Sequence, residues 1–82
     1  MVAQPLTDRE YQVLRLICFG LGNKEIALEL CITVKTVEYH VANVLGKLGA
    51  ANRTQAVLAA LEQGLVDTGN LREQKGPEDG KD

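Results

Sequence analysis

The sequence predicts an all-α domain of four helices, and three observations lead there. Apolar residues recur three and four positions apart in successive stretches, the spacing of a helix with one buried face. Most of these stretches open at a residue that caps free helix amides and close at glycine. No alternating apolar–polar run of the kind a strand requires competes with them.

The first helix opens at Leu6-Thr7-Asp8-Arg9-Glu10. Thr7 can cap the free amides and Glu10, three residues on, can bond back to it, which is a capping box; Leu6 and Tyr11 stand where a hydrophobic staple would form. Val13, Leu14, Ile17 and Cys18 share one face, with Asp8, Gln12 and Arg15 opposite, and Gly20 and Gly22 stop the helix. Gly22 then serves as a weak N-cap for a second helix, with Glu25 three residues later and Ile26, Ala27 and Leu30 facing inward. That helix is roughly two turns long and would not persist without neighbours. The break is Cys31-Ile32-Thr33. Thr33 caps a third helix from Val34 to about Leu48, in which Val37, Val41, Val44, Leu45 and Leu48 form the core face; Gly49 ends it. Asn52 caps a fourth helix, Arg53 to Gln63, closed by Gly64. Its apolar residues divide: Ala56, Val57 and Ala60 point to the core, whereas Leu58, Leu61 and Leu65, in line with Thr54, form a second stripe. Residues 1–5 read as an arm, 6–67 as the domain with its two-helix unit at about 22–48, and 68–82, charged and without periodicity, as a disordered tail.

At 82 residues the chain is one small domain, for which dimerisation would add stability. No apolar run approaches a membrane span, and MVAQPLTDRE has neither the basic cap nor the apolar core of a signal peptide, so a cytoplasmic protein with no membrane partner is expected. Cys18 and Cys31 lie in apolar contexts and read as small buried thiols. His40 does not complete a zinc spacing with them, so neither metal nor other cofactor is expected. Nor is an enzyme: Glu10 and Glu25 are both third helical residues, where carboxylates cap, and His40, on the flank of the buried stripe, reads as packed or hydrogen-bonded. A glycine-rich phosphate loop is absent from the sequence.

A helix, a three-residue turn and a longer helix make the helix-turn-helix plan, whose second helix enters the DNA major groove. The third helix would then present Lys35 and Thr36 in its first turn, with Thr33 before them, and Asn43 and Lys47 further along, as phosphate contacts. Asn23 and Lys24 open the preceding helix and join that set. Glu38, Tyr39 and Ala42 would face base edges: a carboxylate can accept from cytosine N4, and a small apolar group can touch a thymine methyl. Solvated helix surface is the plainer alternative, since helix-turn-helix geometry also occurs in proteins that bind no DNA.

The residues from Leu6 to about Val66 closely resemble the LuxR-type helix-turn-helix domain of bacterial regulators such as quorum-sensing receptors and two-component response regulators. The resemblance rests on several pieces at fixed spacing: LTxRE, GxxNKEIAxxL, the T-V-x-x-H run from Thr36 to His40, Lys47-Leu48, and N-R-T-Q-A from Asn52 to Ala56. It implies four helices, DNA recognition through the third and dimer formation through the fourth. The chain departs from the family pattern at Gly22, where a serine or threonine cap is usual, and at Val34, where a polar residue is more common. Glu38, Ala42 and Gly46 make its recognition surface less basic than many.

An acidic balance, net charge −2 and pI near 5.3, sits uneasily with a polyanionic partner. The average hides the distribution, however: from Asn23 to Arg53 four cations face three carboxylates. Few cations release few counterions, so roughly two to four phosphates per subunit and a shallow salt dependence are expected. Affinity would then depend on a second subunit, held through Thr54, Leu58, Leu61 and Leu65 so that two recognition helices meet half-sites about one DNA turn apart; the alternative is that Leu65 folds back to cover Leu58 within the monomer. The function expected is therefore a sequence-specific bacterial transcription regulator, or its output domain, bound to double-stranded DNA as a homodimer. The competing class is a protein-interaction module that holds RNA polymerase or another regulator without specific DNA binding.

Overall fold

The computed structural model describes residues 5–66, which form four α-helices and no strand: α1 Asp8–Cys18, α2 Asn23–Leu30, α3 Val34–Leu48 and α4 Arg53–Glu62. The expected tail, 68–82, and most of the arm lie outside these residues. The N-termini follow the capping chemistry of the sequence. Thr7 accepts from the Glu10 amide at 3.1 Å while the Glu10 carboxylate accepts from the Thr7 amide at 3.0 Å, closing the box. At α2 half a box forms: Gly22 donates to the Glu25 carboxylate at 2.7 Å, and glycine offers nothing in return. Thr33 and Asn52 cap α3 and α4, accepting from the amides of Thr36 and Gln55.

The C-termini share one device. After each helix a residue at positive φ turns the chain back, and the next amide reaches a carbonyl five residues earlier: Leu21 to Leu16, Ile32 to Ala27, Ala50 to Leu45 and Leu65 to Ala60. Glycine supplies the left-handed residue at Gly20, Gly49 and Gly64, where the lack of a Cβ removes the steric penalty. At the turn between α2 and α3 it is Cys31, with φ 60°. A left-handed side chain does not follow the helix face, so Cys31 is exposed and not a buried thiol as its apolar neighbours suggest. Cys18 is half-buried, and burial pushes its thiol pKa up. Cys31→Gly is expected to raise stability by about 0.5–1 kcal/mol by relieving the left-handed strain, and Cys31→Val to lower it. Equal thermal midpoints for the wild type and the glycine variant would contradict that strain.

The core divides along α1 and α3, each of which contributes to two apolar clusters. Val13 and Ile17 of α1 and Val37 and Val41 of α3 close over Ile26 and Ala27 of α2. Leu14 of α1 and Val44 and Leu48 of α3 pack with Ala56 and Ala60 of α4 and with Val66. Adjacent residues of α1, Val13 and Leu14, thus serve different clusters, and both are fully buried. Short α2 is held by the first cluster and α4 by the second, which leaves the outer face of α3 uncovered.

Past Gly64 the chain folds back. Val66 is buried, Leu65 packs against the second cluster, and the Tyr11 hydroxyl donates to the Leu65 carbonyl. Leu65 therefore does not continue the outward stripe of α4. The helical spacing that linked it to Leu58 and Leu61 stops at Glu62, and the left-handed Gly64 sends the chain off in a new direction.

Candidate nucleic-acid interface

The turn and the start of α3 are set by short-range bonds. Thr33 Oγ1 accepts from the Thr36 amide at 3.1 Å and lies 2.9 Å from the Thr36 hydroxyl, which ties the two side chains together at the helix N-terminus. Val37, Val41, Val44 and Leu48 fill the inner face of α3. The helical repeat then turns Lys35, Glu38, Tyr39 and Ala42 outward, and all four are exposed. Tyr39 stands 65 % exposed, its ring edge-on to His40 with centroids 5.6 Å apart. His40 is half-buried, and its Nδ1 has no hydrogen-bond partner among the described residues. It is packed, as expected, but not bonded at that nitrogen. Asn43 and Thr36 lie half-buried on the same flank.

Lys24 is exposed at the start of α2 and shares with Thr33 an open hollow walled by Ala27, Leu28, Ile32 and Val34. Leu28 is 81 % exposed, at a position for which the sequence predicts no role. Its position off the Ile26–Ala27–Leu30 stripe was the signal that it faces out.

Two cations on which the sequence-based charge balance relied are engaged inside the domain. Lys47 turns toward α1, where its ammonium meets the Glu10 carboxylate at 2.7 Å and the Pro5 carbonyl at 3.2 Å. Only 20 % of its side chain and 7 % of that of Glu10 are exposed. The bond to Lys47 is the first cause, and the Thr7 amide the second, that hold the Glu10 carboxyl below its ordinary pKa. Lys47 therefore does not join Lys35 on the outer face. Arg53 donates to Asn23 Oδ1 at 2.8 Å and to the Leu21 carbonyl at 2.6 Å, tying the start of α4 to the start of α2. Among the described residues Arg53 forms no ion pair with Glu25. Lys24 and Lys35 remain as the exposed cations near the turn, with Glu29 and Glu38 exposed beside them.

On α4 the outward stripe is Thr54, Leu58 and Leu61, with Leu58 56 % and Leu61 39 % exposed. Leu65 is excluded from it by the fold-back at Gly64.

Comparison with known proteins bears on this arrangement. Residues 4–60 match the GerE family model, described as bacterial regulatory proteins of the luxR family. The response regulator protein VraR of Staphylococcus aureus is 49 % identical over 61 residues, covering 74 % of this chain and 29 % of VraR. The chain thus spans less than a third of that relative. Among solved structures, the transcription factor GerE superposes with a TM-score of 0.68 at 36 % identity, covering 76 % of this chain and 94 % of GerE. The LuxR-type receptor VqmA of Vibrio cholerae, described as a dimer without its target DNA, gives a TM-score of 0.73 at 35 % identity, covering 83 % of this chain and 32 % of VqmA. With a family model spanning more than half its length and the four-helix architecture of these structures, the chain belongs to the LuxR family of bacterial regulatory proteins and forms its helix-turn-helix DNA-binding domain.

Proposed function

We propose that this domain binds double-stranded DNA sequence-specifically, as the output part of a bacterial transcription regulator, with α3 in the major groove. One observation carries the reading: the inner face of α3 is buried while Lys35, Glu38, Tyr39 and Ala42 stand exposed on a helix of 15 residues. Such a helix is roughly 22 Å long and fits a groove about 12 Å wide. Lys24, Lys35, Asn23, Asn43 and the Thr33–Thr36 helix start supply phosphate contacts; Glu38, Tyr39 and Ala42 supply base-edge contacts. The target DNA and dimer named for VqmA support the same use of the fold here. Two copies of the domain associate through Thr54, Leu58 and Leu61, an apolar strip that the monomer leaves exposed.

Selection from a random duplex pool tests the proposal. A two-fold symmetric motif should be enriched, and its affinity should fall with salt along a log–log slope of about −4 to −7 for the dimer. A slope steeper than about −8 would mean more phosphates neutralised than the two exposed lysines and nearby amides can account for. Leu58→Glu should shift sedimentation toward the monomer and weaken binding to the symmetric site. Unchanged association and affinity would reject the α4 contact.

Exposed Leu28 and the apolar hollow beside it favour a second reading, in which the domain contacts another protein such as RNA polymerase. A pool that yields no enriched motif would move the conclusion to that reading.

A further inference from the structure

The bond between Arg53 and Asn23 has a directional consequence. Asn23 is the first residue of α2 and Arg53 the first of α4, 30 positions apart in sequence. The guanidinium grips two acceptors at once, Asn23 Oδ1 at 2.8 Å and the Leu21 carbonyl at 2.6 Å. A guanidinium carries donors only, so the oxygen end of the Asn23 carboxamide must be the end that faces it. The NH2 end is thereby turned away, and no hydrogen bond from Asn23 Nδ2 to protein is found among the described residues.

On the basis of the DNA-binding reading, we propose that Arg53 is a positioning residue: it locks the Asn23 carboxamide with its N–H bonds presented to a DNA backbone phosphate beside Lys24. Phosphate oxygens only accept hydrogen bonds. A freely rotating carboxamide presents its oxygen to phosphate part of the time, and the clamp removes that orientation. The start of α2 has particular use for such a donor, because the Gly22 amide is already taken by the Glu25 carboxylate at 2.7 Å, which also sets a negative charge there. The planar fork matters as well as the charge, since an ammonium cannot hold the Leu21 carbonyl and Asn23 Oδ1 in one rigid geometry. Arg53 begins the helix that carries Leu58 and Leu61, so the proposed dimer helix directly buttresses a proposed phosphate contact.

The test is a titration of 15N-labelled protein with the selected duplex, following the Asn23 side-chain amide resonances and the affinity together. In the wild type these resonances should move on saturation. Asn23→Asp keeps an acceptor for Arg53 and removes the donors; its thermal midpoint should stay at or above the wild-type value while affinity drops at least about tenfold. Arg53→Lys should displace the Asn23 resonances in the free protein, shrink their response to DNA and weaken binding several-fold. Stationary Asn23 resonances in a wild-type complex would overturn the proposal and leave the DNA-binding reading intact. So would an Arg53→Lys protein with the same response and affinity, or an Asn23→Asp protein that binds as tightly as the wild type. Failure of the wild-type chain to retain any duplex would overturn both readings.

Discussion

Lys47→Met should lower the stability of the domain by about 1–3 kcal/mol without changing the salt slope of DNA binding. The ammonium of Lys47 is the main partner of the Glu10 carboxylate, which is only 7 % exposed. Removing it leaves that carboxylate with the Thr7 amide as its remaining partner and little water to solvate the charge. It also frees the Pro5 carbonyl and with it the start of the chain before α1. For a domain of this size a loss of that order is a large fraction of the total stability. The pH dependence carries a sign. Folding lowers the Glu10 pKa, so its contribution is fully present above the unfolded value, near 4.5, and is lost as pH falls through the lower folded value. Urea unfolding of wild type and variant should therefore differ most at neutral pH and converge under strongly acid conditions. A constant difference across that range would show that the lysine stem, not the ion pair, carries the effect. A salt slope that falls by about one phosphate per subunit in Lys47→Met would return Lys47 to the DNA face.

On the exposed side of α3, Lys35→Ala and Tyr39→Ala should fail in different ways. Lys35 lies in the first turn, where a phosphate would meet both its ammonium and the free amides of the helix start. Losing it should weaken binding to all duplexes alike and reduce the salt slope by about one unit per subunit. Tyr39 projects from the middle of the same face and is 65 % exposed. Losing it should change which duplexes are preferred, by about 1–3 kcal/mol at the affected base pair, or roughly 5-fold to 150-fold in discrimination. Competition binding against single-base variants of the selected site separates the two patterns. A uniform loss in both variants would mean that the tyrosine only anchors the backbone, and the proposed base-reading role would fall.

Most of the fold was legible because most of its signals are local. Thr7, Thr33 and Asn52 cap amides three residues away, and Gly20, Gly49 and Gly64 turn the chain within a single step of backbone. The inward face of α3 follows from side-chain direction along one helix, so Val37, Val41, Val44 and Leu48 could be named without knowing what covers them. The outward positions of Lys35, Glu38, Tyr39 and Ala42 follow from the same repeat. The motifs spanning residues 6–66 point to the LuxR family without any tertiary structure.

The misplaced residues fail for a common reason. Cys31 and Leu65 lie where the helical repeat has been interrupted, one at a left-handed residue and one just beyond another, so periodicity assigns them to the wrong side. Lys47 and Arg53 have side chains long enough to reach partners on another helix, 37 and 30 residues away. By itself the sequence determined the four helices, their ends, the buried and exposed faces of α3, and the family, since each depends on contacts within a few residues or on spacing along one helix. Of the four cations from Asn23 to Arg53, the tertiary structure decided which stay exposed, Lys24 and Lys35 but not Lys47 or Arg53, and it decided which leucines stay exposed on α4. Those outcomes depend on which helix ends are brought within the reach of one side chain, and that is set only when the two apolar clusters close on either side of α1 and α3.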